Sequence, residues 1–181
     1  ASLIAYSTSS STKQRRVSFP EAVKCGFQRY VEFRGRSATA EYWWWILFYC
    51  AVVTVLNFAG MIASTWRLGL LGGLFSFAVL MSTLALGVRR LHDIGKSGWW
   101  LLVVLLLYVA GLVLIITPII ILEYMTYARE ATSSPIVVIV LLILSAVGFI
   151  VSLGITSWWL LWMVKKGDYG PNKYGPDPRQ P

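Results

Sequence analysis

The sequence is poor in charge: only 13% of its 181 residues are Asp, Glu, Lys or Arg, against roughly 25% in soluble domains. Acidic residues are scarcest, eight against sixteen basic. There is one histidine, His92, and there are two cysteines, Cys25 and Cys50, without C-x-x-C spacing. So small a set offers neither a zinc centre nor a disulfide framework, and no metal or cofactor is expected. The long apolar stretches carry no Asp, Glu, Lys, Arg or His in their interiors, which argues against the intramembrane relays of ion-driven pumps. No nucleic-acid-binding motif accompanies the formal charge of +8, so that charge does not point to a nucleic-acid partner.

What is abundant is apolar surface, 57% of residues. Four stretches, at about 42–64, 68–88, 99–122 and 136–164, reach the roughly 20 residues a bilayer crossing requires. A soluble bundle would show polar residues at helical period, and these stretches do not. The expected fold is an all-α integral membrane protein with four transmembrane helices. Short connections imply one domain, 18–178, after a polar tail, 1–17, and with a Gly/Pro-rich segment from 165. Ala1–Arg16 has no apolar core of the signal-peptide kind, so the first span is expected to direct its own insertion.

Orientation follows from the flanks. Fourteen Lys and Arg residues lie before the first span, between spans two and three, and after the fourth; only Arg67 and Arg129 lie on the other side. Positive residues stay inside, which puts both termini in the cytoplasm. Eight of nine tryptophans cluster at the same ends: Trp43, Trp44, Trp45, Trp99, Trp100, Trp158, Trp159 and Trp162, against Trp66 alone. One reading is that they anchor the spans at the headgroup level; the sharper alternative is an aromatic cytoplasmic rim that receives a lipid or a partner subunit.

Upstream, Ser18-Phe19-Pro20-Glu21 has the spacing of a capping box with proline in the first turn. Phe19, Val23, Phe27, Tyr30 and Val31 follow at helical spacing, opposite Lys24, Gln28, Arg29 and Glu32. This reads as an amphipathic interfacial helix over about 19–33. Gly35-Arg36-Ser37 breaks it, and Ser37 is placed to cap the next helix. The segment after Val164 should form turns and extended chain, with mobile last residues.

Small residues mark close helix approach in lipid. The expected packing positions are Gly69, Gly73 and Ser76 in the second span, and Gly148 and Ser152 in the fourth. Asn57 is expected to bond across helices, and Pro118 to kink the third span near its outer end.

The connection Arg89-Arg90-Leu91-His92-Asp93-Ile94-Gly95-Lys96-Ser97-Gly98 contains the Gly-Lys-Ser end of a phosphate loop. Arg90 holds the position where that loop needs its first glycine, and no strand precedes, so nucleotide binding is not expected. His92 and Asp93 are neighbours, but adjacent residues on a helix point apart, and no nucleophile stands near. Lipid headgroup chemistry at His92 and Asp93 remains the single enzymatic exception to a chain read as non-enzymatic. The expected role of Asp93 is a cap paired with Arg89 or Arg90.

Three blocks carry a family resemblance: Phe33-Arg34-Gly35-Arg36-Ser37 with Glu41-Tyr42-Trp43-Trp44, the run from Arg89 to Trp100, and Lys166-Gly167-Asp168-Tyr169-Gly170-Pro171-Asn172-Lys173-Tyr174-Gly175-Pro176-Asp177-Pro178. Together they resemble the DUF805 family of small bacterial inner-membrane proteins, although Thr39 stands where the family often has a second basic residue. The resemblance implies a bacterial inner-membrane domain and supplies no catalytic residues.

The expected function is a non-enzymatic scaffold or accessory subunit of a larger membrane complex. Its lipid- or partner-binding face would comprise Arg34, Arg36, Arg89, Arg90, His92, Asp93 and Lys96, with Trp43, Trp44, Trp99, Trp100, Trp158 and Trp159. The expected partners are membrane lipids, chiefly anionic, other membrane subunits, or further copies of the chain. The alternative is a small oligomeric carrier or channel for an apolar or amphipathic compound passing between the two helical hairpins.

Overall fold

A computed structural model describes residues 17–127 and 135–180. The tail before Val17, with Lys13, Arg15 and Arg16, and the outer-flank Arg129 lie outside the described residues. Regular structure among the described residues is helical: α1 Phe19–Gln28, α2 Thr39–Ile62, α3 Trp66–Asp93, α4 Trp99–Tyr127 and α5 Pro135–Val164. Helices α2 to α5 are each long and apolar enough to cross a membrane.

The helices pair as two antiparallel hairpins. In α2/α3, the Trp45 indole N–H donates to Thr83 Oγ1 at 3.0 Å and the Tyr49 hydroxyl to Ser76 Oγ at 3.3 Å. In α4/α5, the hydroxyls of Tyr108 and Thr156 are 2.5 Å apart. Alternation brings the starts of α2 and α4 and the ends of α3 and α5 to one end of the bundle. Tyr42, Leu91, Ile94 and Met163 meet there in the buried core.

Lipid tails are as apolar as leucine, so helix pairing in a membrane relies on close packing rather than on removing surface from water. The α4/α5 seam shows this. Helix α4 buries Val104, Gly111 and Pro118, and α5 buries Leu141, Gly148, Ile155 and Met163. Apart from Met163, these recur every seven residues, two turns of helix, which gives a narrow contact stripe of coiled-coil type. Gly148 sits where a Cβ would lie 2.8 Å from Leu114 Cβ and 3.2 Å from the Gly111 carbonyl oxygen. Helix α4 runs on through Pro118, nine residues before its end.

Several local expectations are corrected. Gly73 faces open space, while the neighbouring Gly72 is buried, with Asn57 Nδ2 3.2 Å from where its Cβ would be. Gly69 has only Asn57 Oδ1, at 3.9 Å. Asn57 donates at 2.8 Å to Val53 of its own helix rather than across the pair. Ser37 caps nothing: α2 starts from Ala38, and Ser37 is fully buried with its N–H on the Arg89 carbonyl at 3.1 Å.

Helix α1 spans ten residues rather than fifteen. Glu21 reaches back to the Ser18 N–H at 2.9 Å. Its buried residues are Ala22 and Gly26, and the Trp45 ring occupies the space a side chain at 26 would need. The Ser82 hydroxyl donates to the Gly26 carbonyl at 2.6 Å, and the Tyr30 hydroxyl donates to Ala78. Trp45 is thereby a fully buried core residue, not part of an aromatic rim.

The largest difference is at the end of α3, which continues five residues beyond the expected 88. Gly95 (φ +71°) stops it, with Lys96 N–H on Leu91 O at 2.9 Å, the six-to-one bond of a Schellman cap. Arg89, Arg90, His92 and Asp93 therefore stand on a rigid helical end rather than in a loop.

The opposite environments of two glycines make a direct test of the packing. Gly148→Ala is expected to destabilise the folded chain by about 1–3 kcal/mol through overpacking. Gly73→Ala should be neutral or stabilising by up to about 1 kcal/mol, from helix propensity alone. Equilibrium unfolding in mixed micelles separates the two, and equal effects would contradict the seam.

Candidate functional site

At the shared end of the bundle, charges are buried against one another. Asp93, at the last residue of α3, is 1% exposed and receives two guanidinium groups. Arg36 donates to Oδ1 through Nε at 3.1 Å and Nη2 at 2.9 Å; Arg90 donates to Oδ2 through Nη1 at 2.6 Å. A carboxylate at a helix C-terminus is disfavoured by the macrodipole. Two cations offset both that term and the loss of water.

The same guanidinium groups hold the C-terminal segment. Arg36 Nη1 donates to Gly170 O at 2.6 Å and Nη2 to Asp168 O at 2.5 Å. Arg90 Nε donates to Met163 O at 3.2 Å, and its Nη2 to Lys165 O. Backbone joins backbone where Asp168 N–H donates to Asp93 O at 2.8 Å, and Asn172 Nδ2 reaches His92 O at 3.0 Å. Gly167 leaves no room for a side chain, because the Asp93 carboxylate fills the space.

Residues 168–180 then fold on themselves. Asn172 and Gly175 exchange two backbone bonds of 3.0 Å each in a tight turn. Asp177, 5% exposed, accepts from Gly170 N–H at 3.1 Å and from Arg179 at 2.8 and 2.9 Å. The Arg179 guanidinium holds the Asp177 carboxyl well below its ordinary range, at about 2; its own pKa is raised by the same contact. The segment expected to end in mobile residues is an ordered strap.

Arg89 is fully buried but differs from its neighbour. Its only carboxylate is Glu41, at 3.9 Å, and its three guanidinium nitrogens have no hydrogen-bond partner among the described residues. Glu41 also accepts from the Cys25 thiol at 3.1 Å. Burial, then the Glu41 charge, push that thiol above the usual cysteine range.

The sequence-predicted residues thus divide. Arg36, Arg89, Arg90 and Asp93 are interior groups and present no face to a lipid or partner. His92 does not face Asp93: its Nδ1 lies 3.1 Å from Gly35 O, and its ring stacks on Tyr174 at 3.9 Å. Arg34 is exposed. Trp43 and Trp159 pack on the core, and Trp44 meets Phe19 edge-on at 5.7 Å. Trp100 packs edge-on against Trp158 and Trp162 at 5.7 and 5.3 Å, with Lys96 Nζ 4.9 Å from the Trp162 ring centre. Trp99 is 74% exposed.

Sequence reasoning missed the carboxylate partner Glu41 and the participation of Asp168, Asn172, Tyr174 and Asp177. Gly95 was the available signal, since a glycine there marks a helix ending just before it. No group of three His, Cys, Asp or Glu that could hold a metal occurs among the described residues.

Four membrane-length helices closed at one end by a buried Arg–Asp knot describe a polytopic membrane protein. The model of a family described as "Protein of unknown function (DUF805)" matches residues 30–176. The chain belongs to this family. It is similar to the "Inner membrane protein YhaI" of Escherichia coli strain K12 and of Escherichia coli O157:H7. Identity to each is 37% over 71 residues, 39% of this chain and 59% of the relative. The chain spans less than two thirds of the length of those curated relatives. No solved structure matches it.

Breaking a buried pair from one side leaves an uncompensated charge and costs about 3–5 kcal/mol. Asp93→Asn is therefore expected to destabilise the fold by that amount and to speed trypsin cleavage after Lys166 and Lys173 relative to the parent. Unchanged cleavage would contradict the strap.

The depressed Asp177 carboxyl has its own signature. The stability it lends is full above the ordinary value of 3.8 and is lost as pH falls through about 2. Carboxyl-carbon NMR should give a midpoint near 2, and Arg179→Ala should return it toward 3.8.

Proposed function

We propose that the chain is a non-enzymatic membrane scaffold or accessory subunit whose strapped end is a rigid platform on the cytoplasmic side of the bacterial inner membrane. The similar E. coli proteins, named as inner membrane proteins, support that location. The basic flanks support the orientation, with both termini inside. Helix α1 would lie along the interface, its partly exposed Phe19 and Phe27 toward the acyl region.

One observation carries the reading. With Arg36 and Arg90 in the knot and Arg89 buried beside Glu41, five basic residues at this end are exposed among the described residues: Lys24, Arg34, Lys165, Lys166 and Lys173. Trp44, Trp99 and Trp100 are exposed beside them. Each such cation near an anionic leaflet contributes roughly 1 kcal/mol, so the rim suits anionic lipid or an acidic partner surface. Asp93 is buried between two guanidinium groups and His92 is turned to Gly35 and Tyr174, so the two do not meet as a pair for headgroup chemistry. The alternative, a small oligomeric carrier or channel for an apolar or amphipathic compound, draws its support from a cavity of about 200 Å³ lined by residues of both hairpins, including Tyr42, Gly87, Val104 and Trp159.

Gentle detergent extraction followed by native mass spectrometry tests the platform. Retained anionic phospholipid or a co-purifying subunit is expected, and Lys165→Ala/Lys166→Ala/Lys173→Ala should reduce the retained species several-fold. Recovery of a bare monomer would contradict the reading.

A further inference from the structure

Arg89 lies beside the knot without joining it. It is fully buried, its three guanidinium nitrogens have no hydrogen-bond partner among the described residues, and its carboxylate neighbour Glu41 stands at 3.9 Å. Glu41 is engaged elsewhere: its Oε1 accepts from the Cys25 thiol of α1 at 3.1 Å. That same oxygen is the carboxylate atom nearest Arg89. A thiol is a weak donor, whereas a guanidinium facing a carboxylate makes two charge-assisted bonds. The buried carboxylate therefore serves the weaker of two candidate partners while the stronger is left unpaired, which is costly for a charge out of water. Something other than Glu41 itself must hold that arrangement.

What holds it is the docking of α1. Ala22 and Gly26 are buried against the bundle, with the Trp45 ring in the space beside Gly26. The Ser82 hydroxyl donates to the Gly26 carbonyl, and Tyr30 donates to that of Ala78. The charged and titratable groups that act on Arg89 include, besides Glu41, Cys25 of α1, Arg29 at its C-cap and Glu32 just beyond, so α1 and the turn after it cover the guanidinium.

Another side of α1 is unsupported. Glu21, Cys25 and Arg29 recur every four residues, on one face of the helix. With Pro176 and Pro178 of the strap they line a cavity of about 490 Å³. Downstream the chain is fixed: Gly35 O meets His92 Nδ1, Arg36 binds Asp93, and the Ser37 N–H donates to Arg89 O. Residues 31–34, between the two, are exposed and supply a hinge.

We infer that Glu41 is a two-position switch: bonded to Cys25 it docks α1 on the bundle, and paired with Arg89 it releases α1. The docked position is that of this structure. A movement of about 1 Å brings Glu41 to bonding distance of Arg89, and turning both oxygens to the guanidinium takes Oε1 off the thiol. Each position keeps a contact that the other forgoes, the Gly26–Trp45 packing in one and the ion pair in the other, so both are populated.

Pulsed electron spin resonance on the full chain in nanodiscs tests this. Nitroxide-bearing noncanonical side chains at the exposed Lys24 of α1 and Lys166 of the strap leave Cys25 in place. Two distances are expected, one matching this structure and one for the released helix. Arg89→Met removes the competing partner with a side chain suited to a buried site, and should raise the docked-to-released ratio about tenfold. Arg89→Lys, which keeps the charge, should retain both distances. Cys25→Ala removes the docked bond and should lower the ratio by about threefold; this arm is read independently of how the Arg89 variants fold. If Arg89 were only a structural prop, Arg89→Met would loosen α1 instead. A single docked distance in the parent, an unchanged or lower ratio in Arg89→Met, or no shift in Cys25→Ala would each overturn the inference.

Discussion

One buried carboxylate organises this protein. Asp93 ends α3 and binds Arg36 from the α1–α2 link and Arg90 from its own last turn. Other N–H groups of the two arginines donate to carbonyls of the last turn of α5 and of the segment beyond it. A buried ion pair contributes little net stability, because desolvation offsets most of its attraction, but it is costly to leave half-made. The knot therefore acts through specificity. It makes one arrangement of link, helix end and strap far better than alternatives in which a guanidinium or the carboxylate is left alone.

That constraint matters because the rest of the bundle is weakly specified. Helices α4 and α5 are apolar all round, with only a narrow stripe of each buried, and leucine-rich faces slide past each other at little cost in lipid. The glycine approach at Gly148 and the Tyr108–Thr156 and Trp45–Thr83 contacts fix the register within each hairpin. Between hairpins, the described polar contacts gather at the end where Asp93 and the strap lie. The two hairpins are thus held together at one end.

Much of the fold was legible because the bilayer leaves few options. Four uncharged runs of about twenty residues have one economical reading, and no soluble alternative competes. The end of α3 was harder. Arg89-Arg90 breaks an apolar run, so hydropathy stops the helix at 88, although Gly95 marks its true terminus and the basic residues suit its last turn. The strap was hardest. Glycine and proline after Val164 favour turns, and turns read as mobile unless something binds their carbonyls. That something was Arg36, 132 residues from Asp168 in the chain, a pairing invisible to local pattern. The expected binding face was misjudged for the same reason. Of the arginines counted in it, Arg36, Arg89 and Arg90 are interior, and the exposed basic residues at this end are mainly lysines.

The central claim is that the segment after α5 is a fixed part of the structure, and amide hydrogen exchange across residues 165–180 tests it most directly. The N–H groups of Asp168, Asn172, Gly175 and Arg179 are all hydrogen-bonded, so exchange slowed at least a hundredfold relative to an unstructured peptide is expected, at roughly 2.7 kcal/mol of protection. Exchange of these four amides at the unstructured rate in the intact membrane protein would contradict the account.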